Sequence, residues 1–399
     1  MPQKRKDNKG RVLKTGESQR KDLIYQYRYT DIRGKRQTIY APDLKTLREK
    51  EQEIHWYMGD GIDYTSGEIT VLQLVERYVS LKRGVRYNTK VGYNFVLNLI
   101  KKDDFGYRRI RDIRVSDAKQ WMLKLHEEGK GYSTLTSVRG VVKPAFQMAY
   151  NEDMLRRNPF DFKLTDVVPN DSKRREAMTP EQQEMWMEFI RTDKTYSKYY
   201  DEFVVLLETG LRVSEFCGLT KSDLDFANRK IRVDHQLVRE RGGKYYVEKT
   251  KTECGCRFIP MTERVCECLK NILARRKKVK REIIVDGYSG FILLDKEDKP
   301  KVALHIENEM RWAMKKYTKL HPDRPLPHIT PHVFRHTFCT NMANAGMDIK
   351  TLQYLMGHSD VGVTLNVYTH ASYERAAEQL CKIMNFPGTG EENYRQKSG

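Results

Sequence analysis

The residues of this chain best able to act on a phosphate ester lie in four short segments of its second half. The first, Thr209 to Glu215, reads TGLRVSE. A helix stops at Gly210, which can take the left-handed closing conformation without strain. A second helix follows at once, with Arg212 in its first turn and Glu215 at i+3, where a carboxylate can hold a guanidinium in one orientation. The second segment, Thr330 to Thr337, reads TPHVFRHT. Thr330 caps a helix, Pro331 fills its first position, and His332 and Arg335 share a face. An imidazole and a forked donor at a helix N-terminus suit a phosphate. In the third, Asp348 caps a helix that Gly357 ends, and His358 follows the turn. The fourth, TLNVYTH, places Tyr368 ten residues after His358. A phenol with a pKa of about 10 is a poor nucleophile unaided. It becomes a good one where cations and donors stabilise the phenolate and a pentavalent phosphorus. Singly, each segment has a plainer account: a surface Arg–Glu pair, a polar helix start, a solvent-facing His, a packed Tyr.

In this order the four segments resemble the tyrosine recombinase (phage integrase) family over residues 179–385. The opening KRKDNKGRVLKTGESQRKD is similar to the arm-binding domains of integrases from Gram-positive conjugative transposons. The resemblance implies a site-specific DNA recombinase that integrates and excises a mobile element. Tyr368 would attack a phosphodiester, forming a 3′-phosphotyrosyl link and releasing a 5′-hydroxyl. Arg212 and Arg335 would bind the non-bridging oxygens, His332 would take or share the tyrosine proton, and His358 would support the phosphate. Glu215 would orient Arg212. The family's general-acid lysine lies at a β-turn, and its Lys-Thr … Ile-Pro pattern points to Lys251 (with Thr252, Ile259 and Pro260). Lys249 shares the strand face by period two and stays open as the competitor. No cofactor, ATP or metal is implied, since arginines replace the cations that other phosphoryl-transfer sites recruit. The implied partners are double-stranded DNA at core and arm sites, three further copies in a homotetramer on two duplexes, and an excisionase or DNA-bending accessory protein. The segment 373–386 is amphipathic, and the family docks such a tail on a neighbouring subunit; packing on its own domain is the alternative. Two other classes stay in view: a type IB topoisomerase-like strand-passage enzyme, and a catalytically silent DNA-binding protein.

The elements that must position these residues fall into three expected domains: 1–68, 69–172 and 173–399. In the first, Ile24, Gln26 and Arg28 alternate with Tyr25, Tyr27 and Tyr29, the period of a strand. A return over 36–40 and a helix capped by Asp43 complete a small α+β arm-binding domain of a three-stranded sheet plus one helix. A basic, aromatic-dotted ribbon of this kind can enter a major groove, with Lys4, Arg5, Arg11 and Arg28 as its contacts. The second reads as an all-α core-binding domain of four helices with apolar i, i+3, i+4 spacing, Ser116 and Ser133 as N-caps, and Arg156 to Pro159 as the final stop. Lys82, Arg83, Arg86, Lys90, Lys101, Lys102, Arg108, Arg109 and Arg111 would meet phosphates there, although solvated helix faces also carry such charges. Residues 161–178 read as a linker. The third is a mainly α catalytic domain with a small antiparallel sheet. Its hairpins turn at Arg241 to Gly243 and near Glu253 to Gly255. The first of these is longer than catalysis requires and is expected to touch DNA or a neighbouring subunit.

Charge agrees with a polyanionic partner. Lys and Arg number 73 against 54 Asp and Glu, a formal charge of +19. The surplus is +8 over residues 1–41, −4 over 42–68, +7 over 69–172 and +8 over 173–399. No apolar run approaches the roughly 20 residues of a membrane span. No apolar stretch follows MPQKRKDNKGRVLK, so neither a secretory leader nor a membrane partner is expected and the cytoplasm is the expected compartment. Seven cysteines without framework spacing read as reduced thiols. Cys254-Gly-Cys256 and Cys266-Glu-Cys268 lack the usual zinc spacing. A phosphate-binding GxxxxGK loop is missing, which argues against an ATPase, and no carboxylate cluster of a metal nuclease accompanies the His and Arg boxes.

Overall fold

Tyr25, Tyr27 and Tyr29 point inward from one strand while Arg28 points to solvent, the alternation that a half-buried strand requires. That strand, β2 (Tyr25–Thr30), is the centre of an antiparallel sheet β1-β2-β3 with β1 (Glu17–Gln19) and β3 (Arg36–Ala41). The Asp43 carboxylate accepts from Thr46 N at 2.9 Å and opens α1 (Leu44–Gly59), whose Leu44, Leu47 and Ile54 pack on the tyrosines. Strand β1 has no apolar alternation; it is held by buried Glu17, which accepts from Arg48 of α1 at 2.9 Å. The computed structural model describes residues 5–32, 34–59, 61, 66–172, 176–250, 253–276, 278, 279, 281–365 and 380. They fall into two compact units, residues 1–173 and 174–399.

The rest of the first unit is helical: α2 (Val71–Ser80), α3 (Tyr87–Lys101), α4 (Val115–Glu127) and α5 (Tyr132–Asn151) around Leu74, Ile100, Trp121 and Phe146. Neither expected serine caps a helix. Arg114 precedes α4, and its N–H is taken by the Asp117 carboxylate at 2.8 Å. Helix α5 starts at Tyr132, whose N–H donates to Asp171 at 2.9 Å, a partner 39 residues away. It also ends at Asn151, before the expected stop at 156–159. The expected linker does contain the division between the two units, at 173/174, but its flanks are packed. Leu164 and Val168 are buried in the core of the first unit and Met178 in that of the second. Few residues there are apolar, but these are directed inward, which composition does not reveal.

The second unit contains α6 (Pro180–Thr192), α7 (Tyr200–Thr209) and α8 (Val213–Gly218), then β4 (Leu224–Asp225), β5 (Lys230–Val233), β6 (His235–Arg239), β7 (Tyr245–Lys249) and β8 (Arg257–Pro260). Among the described residues there follow α9 (Glu263–Arg275), α10 (Ala303–Leu320), α11 (Pro331–Asn344), α12 (Ile349–Met356) and α13 (Val361–Leu365). Trp186, Phe203, Phe216, Phe291 and Phe334 fill its core. The ribbon β6-β7 forms one sheet and β4-β5-β8 another. The expected second hairpin is therefore not one. A 3₁₀ turn at Glu253–Gly255 carries the chain from the ribbon to the other sheet, where Ile259 pairs with Ile231. Period two gives a strand its face and leaves its partner undetermined. Among the described residues no helix is long and apolar enough to cross a membrane.

Candidate active site

Helix α7 ends at Gly210, with φ of 62°. A Cβ there would stand 2.5 Å from the Phe338 ring, so the turn needs glycine twice over, for its conformation and for its space. Two residues on, Arg212 has an extended backbone and is the N-cap of α8, just outside the first turn. Its N–H donates to Glu215 Oε2 at 3.0 Å and its Nη1 to Glu215 Oε1 at 2.7 Å. Glu215 thus caps the helix and orients the guanidinium together. On α11 the Thr330 hydroxyl accepts from Val333 N and Pro331 occupies the first turn. This sets buried Arg335 inward and leaves His332 exposed.

The arginines meet at the end of α12. Asp348 opens that helix and Gly357, left-handed at φ 60°, closes it. The last carbonyls of a helix have no partner within it and carry its negative pole. Here three consecutive ones are taken by arginines from three elements. Leu355 O accepts from Arg257 Nε at 2.7 Å, Met356 O from Arg335 Nη2, and Gly357 O from Arg212 Nη2 at 2.9 Å. Arg335 Nη1 also donates to Gly210 O at 2.6 Å, tying α11 to the α7 turn.

Arg257 is the residue that motif reasoning missed. It donates to both Glu215 oxygens, at 2.8 and 3.2 Å, and its side chain is fully enclosed. One signal could have found it. Arg257 shares the inward face of β8 with Ile259, and an inward arginine demands a buried acceptor. Two guanidiniums, of Arg212 and Arg257, therefore share one carboxylate, while the third, of Arg335, is held by the Gly210 and Met356 carbonyls. Burial alone would raise the Glu215 carboxyl, but hydrogen bonds and charge from Arg257, then the charge of Arg212, hold it near 2. Burial, then the Arg212 charge, push Arg335 down from the usual guanidinium range, though it stays a cation at neutral pH. His358 follows the Gly357 turn, with Nδ1 3.0 Å from the Thr364 hydroxyl. Burial, then the charges of Arg335, Arg212 and Arg257, lower it to about 4, so its imidazole is neutral at pH 7. The cluster is short of negative charge, and a phosphate would supply it.

The remaining candidates are more dispersed. Lys249 ends β7, exposed and in register with His235. Lys251 and Tyr368 lie outside the described residues, as does the 373–386 tail apart from Leu380. Asp223, Asp234 and His235 offer three ligand atoms to a cation. However, Arg232 already holds Asp223 at 2.7 Å and the Gly218 carbonyl takes His235 Nε2 at 2.8 Å. In the first unit Arg28, Lys82, Arg83, Lys90 and Lys102 are exposed, and Arg86 precedes α3 half-buried. Lys82 lies 4.4 Å from the Tyr78 ring. Other expected phosphate contacts are engaged within the unit: Arg11 with Asp7 at 2.7 Å, Arg108 with Asp117 at 2.9 Å, and Arg109 and Arg111 with Glu68 at 3.0 and 2.6 Å. Lys101 pairs with Glu76 at 3.0 Å, and Arg5 reaches Lys14 O at 3.4 Å. Lys4 lies outside the described residues.

Residues 176–375 match the phage integrase family, and residues 1–57 match the DNA-binding domain of Tn916 integrase. The chain is 44% identical over 396 residues to the transposases of transposon Tn916 from Enterococcus faecalis and Tn1545 from Streptococcus pneumoniae. Those matches cover 96% of this chain and 97% of each relative. Among solved structures, the Tn1549 transposon integrase in complex with a circular intermediate DNA superposes with a TM-score of 0.76 at 42% identity. It covers 79% of this chain and 99% of that one. A lambda integrase dimer bound to a core site, 15% identical with a TM-score of 0.54, shares the fold.

Proposed function

The chain belongs to the phage integrase family of site-specific tyrosine recombinases, and we propose that it moves a conjugative transposon by attack of Tyr368 on one strand of a duplex. The Tyr368 oxygen forms a bond to phosphorus as the bond to the 5′-oxygen breaks. The tyrosine proton passes to His332, and Lys251 protonates the departing 5′-oxygen. Arg212 and Arg335 bind the non-bridging oxygens. Each guanidinium has five N–H donors. Two side-chain donors of Arg212 and two of Arg335 are committed to Glu215, Gly357, Gly210 and Met356, which leaves others for the phosphate. Neutral His358 adds a hydrogen bond without adding charge. One ester replaces another, so the step needs no energy source, and the 5′-hydroxyl of a second duplex can reverse it on a new partner.

The observation that carries this reading is the surplus of guanidinium over carboxylate at the end of α12. Such preorganised cations are worth most where charge develops in the transition state. The reading assigns residues 1–68 to arm sites, 69–172 to core sites and 173–399 to catalysis. Strand exchange needs four cleavages, hence a homotetramer on two duplexes, assisted by an excisionase or a DNA-bending protein. The β6–β7 hairpin would touch DNA or a neighbouring subunit, and the setting is the cytoplasm, on the nucleoid. The test is covalent trapping on a nicked duplex carrying the element end, in EDTA. Wild type should give a protein–DNA adduct on a denaturing gel and Tyr368→Phe none. Tight binding without an adduct from wild type would favour a silent DNA-binding protein, and supercoil relaxation without exchange a topoisomerase.

A further inference from the structure

The ribbon β6–β7 carries Lys249 and leads to Lys251, yet it shares no strand pairing with the sheet β4-β5-β8 among the described residues. Val247 N donates to Asp286 at 2.8 Å and Leu237 is buried in the core, but the contact that ties the ribbon to the Arg212 segment is the one with α8. The two lie backbone to backbone: a Cβ on Gly218 would stand 3.0 Å from Leu237 N and 3.1 Å from Gln236 Cα. Polar side chains fasten both ends of α8. At its start, Ser214 Oγ donates to Gln236 Oε1 at 2.9 Å, and Gln236 Nε2 donates to Glu248 Oε2 at 2.8 Å. At its end, the Gly218 carbonyl bonds His235 Nε2 at 2.8 Å, while the ring rests 4.2 Å from that of Tyr288. Gln236 and Glu248 are register partners, as are His235 and Lys249. The Gln236 amide can face only one way. A carboxylate only accepts, so the NH₂ group meets Glu248 and the carbonyl is left for the Ser214 hydroxyl.

We propose that Gln236 is a positioning residue that fixes the general-acid lysine against the phosphate held by Arg212, through a Ser214–Gln236–Glu248 strut. This rests on the reading of Lys251 as the acid. Ser214 lies two residues past Arg212, and Glu248 three before Lys251. The strut is thus a side-chain link between the helix that orients the arginine and the strand that leads to the lysine. Proton transfer needs an approach of about 2.6–3.2 Å, and general-acid assistance contributes about 10²–10⁴-fold, so a swing of the ribbon is felt in the rate.

The test uses the full-length protein and the nicked duplex, with either oxygen or sulfur bridging to the 5′-carbon at the scissile phosphate. A thiol with a pKa of about 8.5 departs as thiolate and needs no proton. Gln236→Leu should slow cleavage of the oxygen substrate by about tenfold or more. Its band shift on DNA should be unchanged, and sulfur should abolish most of the deficit, as it should for Lys251→Ala. Gln236→Glu sets two carboxylates against each other and should be slow; adding Glu248→Gln restores a donor–acceptor pair and should restore the rate. Rescue of Lys251→Ala by sulfur without rescue of Gln236→Leu would overturn the strut and leave the lysine assignment standing. Rescue of Lys249→Ala in place of Lys251→Ala would reassign the acid, and the strut would stand only if Gln236→Leu is rescued with it. Rescue of neither lysine would overturn both.

Discussion

Glu215 is the residue on which the phosphate site balances. It is the carboxylate that Arg212 and Arg257 share, and it is almost wholly buried. Arg212 is the guanidinium proposed to bind the phosphate, whereas Arg257 is enclosed and bonded to Glu215 and to the Leu355 and Gly255 carbonyls, so Arg257 is the permanent counter-ion. Removing one member of such a buried pair costs about 3–5 kcal/mol, because a charge is left without compensation. Arg257→Ala should lower unfolding stability by that order in urea and suppress cleavage; a change within about 0.5 kcal/mol, the range of ordinary surface substitutions, would show the pair to be incidental. The same pair has a pH signature. The folded-state pKa of Glu215 lies below its ordinary 4.5, near 2. Its contribution is therefore fully present above pH 4.5 and lost as pH falls toward 2. His358, lowered to about 4, acts in the same direction, because the unfolded chain takes up that proton first. Urea midpoints should drop through this acid window in wild type, and the slope below pH 4.5 should flatten in Glu215→Gln. Equal slopes in the two proteins would rule the linkage out.

At the scale of elements, the parts of the site that were legible in the sequence are the ones set by local chemistry. Thr330-Pro331, Asp348, Gly357 and Gly210 begin or end helices where their types require, because a cap is satisfied within four residues. The alternating tyrosines gave β2 its buried face for the same reason. What stayed hidden was held from a distance. The Asp171 cap on Tyr132, the pairing of β8 with β5 and the Arg257–Glu215 pair join residues that lie 39, 24 to 30 and 42 apart, and no local window of sequence contains both partners. Gly210 shows how a local and a distant constraint combine. Its conformation ends α7, its missing side chain admits Phe338, and its carbonyl holds Arg335. Gly210→Ala should cost about 1–2 kcal/mol for the left-handed backbone and about 1–3 kcal/mol for the overlap with Phe338. Cleavage should fall along with the melting temperature, because the strained turn displaces the carbonyl that aims Arg335. Normal trapping efficiency in a protein of lowered melting temperature would show that Arg335 is aimed by Met356 alone.

For the whole molecule, the question is what the chain does alone and what it does only with copies of itself. Basic charge over residues 1–41, 69–172 and 173–399 gives one chain several ways to hold a duplex. Ion pairs at Lys101, Arg108, Arg109 and Arg111 take some of those cations out of use, so binding should be less salt-sensitive than the count implies. Nothing in that inventory requires a second copy. The tail does. All the residues read as catalytic lie at or before Tyr368, so removing everything after residue 372 leaves each of them in the chain. The amphipathic face lost with the tail comprises Ala376, Ala377, Leu380, Ile383 and Met384, and Leu380 is 58% exposed. The second unit has a cavity of about 740 Å³ among α6, α7, α11 and α12, lined by Met187, Val204, Leu207, Phe338 and Met342, which offers such a face an apolar seat. Truncation after residue 372 should therefore spare the one-protein band shift on a half-site and abolish both the assembled complex and strand exchange. Met342→Asp, which makes the seat polar in an intact chain, should have the same effect. Recombination by the truncated protein at the wild-type rate would show that the tail serves its own domain and that assembly is held by DNA and other contacts.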